Sequence, residues 1–198
     1  MSREVVAIDI DDVVAQHAKA FCEFSNANFG TNLTVADYHE YWGEFWGVDA
    51  NEVERRRTRF VSPEIMAALE PVDGASVALK AMVAGGIEVV GVTKRRESLT
   101  VVTREWLDRH CPDTFSGVIH ATSFDKEGNK IVRPKDSICH EIGAKSLVDD
   151  QAEACLLVVK AGITGLVFGK ESAQADWPDL MCPVKDWPAV LEHFDAQG

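Results

Sequence analysis

The chain has 198 residues, 46% hydrophobic and 26% charged, with a formal net charge of −12. That length suits one domain, or one domain with a small insertion, and can bury a full core without disulfides or a structural metal. The acidic balance argues against a nucleic-acid polymer or an anionic membrane as partner, but not against a small phosphate ester held by a few local cations.

Met1-Ser2-Arg3-Glu4 leads straight into residues 4–9 (EVVAID), a valine-rich apolar run suited to a buried parallel strand. No basic segment followed by an apolar one precedes it, so no secretory leader is expected, and no apolar run approaches a membrane span. Residues 16–70 are helical and irregular in pattern and rich in aromatics, including Phe21, Phe24, Phe29, Tyr38, Tyr41, Trp42, Phe45 and Trp46. This stretch is too long for a simple crossover and reads as a small helical cap. Residues 75–84 then place Leu79, Met82 and Val83 on one helical face, and Gly85-Gly86 stops the helix. A second strand covers residues 87–93 (IEVVGVT). A helix over residues 97–110 follows, with Leu99, Val102, Trp106 and Leu107 at helical spacing and Pro112 beyond its end. Strands over 117–121, 146–149 and 163–168 alternate with helices over 136–142 and 151–161, and a short helix over 187–194 ends the chain.

Strand alternating with helix predicts an α/β fold, a parallel sheet in a three-layer core. Residues 1–15 and 71–198 form that core, and 16–70 the inserted cap. Ligands in such sheets bind beyond the carboxyl ends of the strands, where Asp9, Thr93 and Asp149 each fall. The five cysteines (Cys22, Cys111, Cys139, Cys155 and Cys182) are scattered and form no C-x-x-C pair. Neither a zinc knuckle nor a disulfide framework is expected, and a reducing cytoplasm is the simplest setting.

Asp9 and Asp11 flank Ile10 and would share a face of an extended strand, with Asp12 next. Three carboxylates at one strand tip repel each other unless a cation intervenes, and an oxygen-only donor set favours Mg²⁺ over zinc. The alternative is a solvated acidic turn. A second acidic pair, Asp149-Asp150, follows the Ser146-Leu147-Val148 strand on the same sheet edge and favours a shared metal. The Thr93 hydroxyl can bind a phosphoryl oxygen, or else cap a helix. Lys94, Arg95 and Arg96 add positive charge behind it. Lys135, ahead of the 136–142 helix, can neutralise phosphate and carboxylate charge, with Lys130 and Arg133 as competitors.

The segment Asp9-Ile10-Asp11-Asp12-Val13-Val14 resembles the first motif of the haloacid dehalogenase (HAD) superfamily of phosphatases. Thr93 resembles the second motif, Lys135 the third and Asp149-Asp150 the fourth, in the same order. Within the superfamily the chain is similar to the 5′(3′)-deoxyribonucleotidase-like group. The supporting segments are Ala27-Asn28-Phe29-Gly30-Thr31-Asn32-Leu33-Thr34, Thr103-Arg104-Glu105-Trp106-Leu107, and Lys135 to Ala144 leading to Val148-Asp149-Asp150.

The resemblance implies a Rossmann-like HAD core and a Mg²⁺-dependent phosphomonoester hydrolase working through an aspartyl-phosphate. Asp9 would be the nucleophile and Asp11 the acid and base, which requires surroundings that favour a neutral Asp11. Asp9, the Asp11 backbone carbonyl and Asp149 would hold Mg²⁺, with Asp150 in support. Thr93, Lys94 and Lys135 would bind the phosphoryl group. One departure bears on substrate preference: relatives usually carry a small residue and then Arg-Pro after the second-motif Thr, where this chain has Lys94, Arg95 and Arg96.

A 5′-nucleotidase is the leading reading. A phosphatase for another small ester such as a sugar phosphate is the first alternative, and a catalytically silent binding or regulatory protein the second. In the cap, Tyr38, Trp42 and Trp46 are candidates for stacking on substrate, or else form the cap's own core or a homodimer contact. The run Arg55-Arg56-Arg57-Thr58-Arg59 is a candidate clamp for a second substrate anion, or a solvated helix face. His17 and His39 read as surface histidines, and Asp12 as a bystander.

Overall fold

The computed structural model describes residues 3–39, 41–127 and 129–196. The outermost residues of the expected core, and Glu40 of the expected cap, lie outside it. In chain order the elements are β1 (Val5–Ile8), α1 (His17–Phe29), α2 (Trp42–Trp46), α3 (Ala50–Phe60), α4 (Pro63–Ala67), α5 (Ala75–Ala84), β2 (Glu88–Arg96), α6 (Thr100–His110) and β3 (Phe115–Phe124). They continue with β4 (Lys130–Val132), α7 (Lys135–Glu141), β5 (Ser146–Asp149), α8 (Ala152–Lys160), β6 (Thr164–Phe168), β7 (Met181–Val184) and α9 (Trp187–Asp195).

The strands form one sheet in the order β4-β3-β2-β1-β5-β6-β7. All neighbours are parallel except β3 and β4, which form an antiparallel hairpin. Val6, Ala7 and Ile8 of central β1 are fully buried, and their alternating side chains enter two different cores. Val6 and Ile8 pack with Leu79 and Met82 of α5, Trp106 of α6 and Val190 of α9. Ala7 packs with Val90, Leu147, Ile138 of α7 and Val158 of α8. The α/β three-layer core is therefore as expected, and valine-rich strands are what such double burial requires.

Two strands were not foreseen. β4 is three residues long and exposed along its length. β7 contains Pro183, which lacks a ladder donor and is tolerated because β7 lies at the sheet edge. β2 also runs three residues past its expected end at Thr93, through a register shift against β3 between Thr93 and Arg96.

Residues 17–67 form α1 to α4 and leave and rejoin the sheet at one place. Gln16 N–H donates to Glu70 O at 2.8 Å, Val72 N–H donates to Val14 O at 2.7 Å, and Gln16 Nε2 donates to Pro71 O at 2.7 Å. Two buried tryptophans secure this neck. Trp106 Nε1 donates to Leu69 O at 2.8 Å, and Trp187 Nε1 to Val13 O at 2.9 Å. The helical segment has its own aromatic centre, in which Phe21 touches Tyr38, Trp42, Phe45, Trp46 and Phe60.

Candidate active site

β1 ends at Ile8, and Asp9 follows it, its N–H donating to Val148 O of β5 at 2.9 Å. The chain then turns tightly: Val14 and Ala15 N–H both reach Ile10 O, and Asp12 takes a left-handed φ of 60°. Asp is among the few side chains that tolerate this conformation. Asp12 is no bystander, because its Oδ1 accepts the Ala18 N–H at 2.7 Å and so holds the first turn of α1.

Asp9, Asp149 and Asp150 offer oxygens within 4.8 Å of one another. Lys135, the first residue of α7, is buried with them. Its Nζ lies 2.7 Å from Asp149 Oδ2 and 2.9 Å from Asp9 Oδ1. The second contact is an ion pair without hydrogen-bond alignment, so Asp9 Oδ1 is buried and has no hydrogen-bond partner among the described residues. Each Asp149 oxygen accepts a hydrogen bond: Oδ2 from Lys135 and Oδ1 from the Gln151 N–H at 3.0 Å. The competitors for the third-motif position point elsewhere, with Lys130 exposed on β4 and Arg133 paired with Glu141.

Electrostatics follow from this crowding. Burial pushes the Asp9 carboxyl up to about 7; Lys135 opposes the shift, while Asp149 and Asp11 add to it. Burial, with Asp9 and Asp149 nearby, pushes Asp150 up to about 9. Burial alone would lower Lys135, yet Asp149 and Asp9 outweigh it and keep the ammonium firmly protonated. A buried carboxylate oxygen without a donor, beside two further acidic groups, is a site that a hard divalent cation fits.

Thr93 is buried, and its Oγ1 accepts the Arg95 N–H at 3.1 Å. The three cations behind it separate. Lys94 is exposed and its Nζ reaches Gln151 Oε1 at 2.5 Å, beside the fourth motif. Arg96 Nη2 crosses to Glu54 Oε1 of α3 at 2.8 Å. Arg95 turns inward: Nη2 and Nε donate to Asp11 Oδ1 at 2.6 and 3.1 Å, Nε lies 3.2 Å from Oδ2, and Nη1 donates to Thr103 Oγ1 at 3.2 Å. Burial would raise the Asp11 carboxyl, but the Arg95 guanidinium, with His17, outweighs it and holds Asp11 below the ordinary range. The structure therefore shows an Asp11 biased toward the carboxylate rather than the neutral acid that the sequence reading required.

The aromatic candidates also divide. Trp46 is only 7% exposed, lies against Phe21 and Phe29, and donates its Nε1 to Ser25 Oγ at 3.1 Å, so it is core and does not face a ligand. Tyr38 and Trp42 are half-buried around His17: Tyr38 Oη lies 3.3 Å from His17 Nδ1, and Trp42 stacks on the His17 ring at 6.0 Å. His17 is buried rather than at the surface, at the junction of the helical segment and the acidic turn. Between them, Asp12, Asp150, Gln16, Lys19, Val35 and Tyr38 border a cleft of about 370 Å³. The Arg95–Asp11 pair and the buried His17 escaped sequence reading. The signal available for Arg95 was its place in the second motif, two residues past Thr93.

The sequence model of the family described as 5′ nucleotidase, deoxy (Pyrimidine), cytosolic type C protein matches residues 3–132. The chain belongs to this family of HAD-superfamily phosphatases. No curated protein sequence matches it. Among solved structures it resembles a HAD-superfamily hydrolase, subfamily IA, variant 1, from Geobacter sulfurreducens, at 17% identity and TM-score 0.64 over 99% of this chain and 97% of that one. It also resembles a predicted phosphatase from Clostridium acetobutylicum, at 12% identity and TM-score 0.68 over 99% and 100%. A third is an L-2-haloacid dehalogenase from Xanthobacter autotrophicus, at 10% identity and TM-score 0.62 over the whole of both chains. At these identities the likeness is one of fold, and it agrees with the family assignment. No helix of the described residues is long and apolar enough to cross a membrane.

Proposed function

We propose that this family member is a Mg²⁺-dependent phosphomonoesterase that uses Asp9 as nucleophile and takes nucleoside monophosphates as its leading substrate class. The observation that carries the proposal is the cluster of buried Asp9, Asp149 and Lys135 with half-buried Asp150 at the carboxyl end of adjacent β1 and β5.

Asp9, the Asp11 backbone carbonyl and the Asp149-Asp150 pair would hold the ion. Because both Asp149 oxygens already accept protein hydrogen bonds, Asp150 is the better direct ligand and Asp149 the partner of Lys135. When bound, the ion supplies positive charge that lets Asp9 ionise and screens the incoming phosphate. Asp9 attacks phosphorus, the bond from phosphorus to the leaving oxygen breaks, and that oxygen takes up a proton from solvent. Water then attacks the aspartyl-phosphate and passes a proton to Asp11, the bond from phosphorus to Asp9 breaks to release phosphate, and Asp11 returns its proton to solvent. Lys135 and the Thr93 hydroxyl bind the phosphoryl oxygens, and Lys94 adds charge at the rim.

In this reading residues 16–70 act as a cap over the site, joined to the core (1–15 and 71–198) at the Ala15–Pro71 bridge. The five free cysteines, four of them buried, suit a reducing cytoplasm. Turnover of phenyl phosphate should require Mg²⁺ and cease with EDTA. On a panel of deoxynucleoside monophosphates and sugar phosphates the former should give the higher kcat/KM. A preference for sugar phosphates would overturn the substrate assignment, and indifference to EDTA the metal assignment.

A further inference from the structure

Of the four arginines in the basic run, three are engaged. Arg55 and Arg56 pair with Glu52, and Arg56 also lies over the Phe29 ring at 4.0 Å. Arg59 donates to Asn28 Oδ1 at 3.0 Å. Arg57 differs. It is half-buried, has no carboxylate partner among the described residues, and its Nε is buried without an acceptor. Its guanidinium lies 5.6 Å from the Trp42 ring, and Trp42 Nε1 is likewise a buried donor without an acceptor among the described residues. Two neighbouring buried donors left unmet are costly unless water or a ligand meets them.

Two contacts orient this corner toward the proposed active site. Trp42 stacks on His17, the buried first residue of α1, whose helix start is held by Asp12 through the Ala18 N–H. Glu54, one helical turn before Arg57 on the same face of α3, is tied at 2.8 Å to Arg96 at the carboxyl end of β2. The Glu54–Arg57 face therefore looks across to the strand end that carries Thr93 and Arg95.

We infer that Arg57 and Trp42 Nε1 form a substrate subsite that binds an oxygen acceptor on the leaving group. The inference rests on the phosphatase reading above and adds the substrate class to it: phosphomonoesters whose alcohol portion bears a carboxylate or ring-carbonyl oxygen. Guanidinium donors suit either oxygen, and the Trp42 ring offers a flat apolar neighbour.

The test compares three substrates in Arg57→Met and the parent enzyme. 3-Phosphoglycerate carries a carboxylate, thymidine 5′-monophosphate carries ring carbonyls, and phenyl phosphate carries neither. The subsite predicts that KM rises about tenfold or more for at least one of the first two, while phenyl phosphate stays within about twofold and reports intact folding. Whichever substrate responds identifies the acceptor. Arg57→Lys, which keeps the charge but loses the fork, should fall between, and Arg55→Met should change nothing. Equal loss on all three substrates, or no loss on any, overturns the inference. Calorimetric titration of 3-phosphoglycerate and thymidine 5′-monophosphate into Asp9→Asn with and without Arg57→Met reads binding apart from turnover. Unchanged affinity for both there also overturns the subsite, whereas failure of the parent to hydrolyse phenyl phosphate would strike only the phosphatase reading.

Discussion

Asp11 and Arg95 show how one residue pair can shape a reaction. In the proposed reaction an ionised Asp11 suits the second step, in which it would take a proton from water. For the first step it is a poor donor while Arg95 grips both its oxygens. Esters whose leaving oxygen departs without a proton should therefore turn over fastest, and kcat across a series of aryl and alkyl phosphates should fall steeply as leaving-group pKa rises. A flat series would refute this. Arg95 also matters for stability, since its side chain is 2% exposed and that of Asp11 25%. Removing one partner of such a pair strands the other charge, so Arg95→Met should lower unfolding stability by about 2–3 kcal/mol in urea titration. No change would mean that water already serves Asp11.

At the scale of elements, α8 lies so close on β6 that only glycine fits at Gly165. A Cβ there would stand 2.8 Å from Cys155 Cβ and 2.9 Å from its carbonyl oxygen. Gly165→Ala should cost about 1–3 kcal/mol in denaturant unfolding, because backbone rather than a flexible side-chain tip must give way. A neutral result would show that α8 shifts freely. Five of the six parallel strands were legible because burial writes an apolar run, as in Val5-Val6-Ala7-Ile8. β4 and β7 were not, since edge strands have one bare side and admit lysine and proline. The four motifs could be located because they sit at the carboxyl ends of legible strands or at a helix start. The partners of their side chains could not, because Asp11–Arg95 spans 84 residues and Arg96–Glu54 spans 42. Nor does composition separate Trp46, whose N–H finds Ser25, from Trp42, whose N–H finds no acceptor among the described residues.

The whole molecule carries a net charge of −12 and concentrates three carboxyls, two of them buried, in one corner. Asp9, raised from 3.8 to about 7, and Asp150, raised from 3.8 to about 9, bind protons more tightly folded than unfolded. Between their ordinary and raised values the folded state holds the extra protons. The ion-free protein should therefore lose stability from these groups as pH climbs from about 4 toward 9. A divalent cation competes with those protons, so the rise in Tm on adding Mg²⁺ should be larger at pH 8 than at pH 6. An equal rise at both pH values, or none, would contradict a metal at this cluster.

The central claim, that Asp9 is the nucleophile of a phosphatase, meets its most direct test in one comparison: initial rates of phenyl phosphate hydrolysis with Mg²⁺ for the parent and for Asp9→Asn, a change that keeps the side chain's size and removes its charge. A fall of about a thousandfold or more is predicted, since the asparagine amide cannot form the covalent link. A variant that retained substantial turnover would contradict the claim.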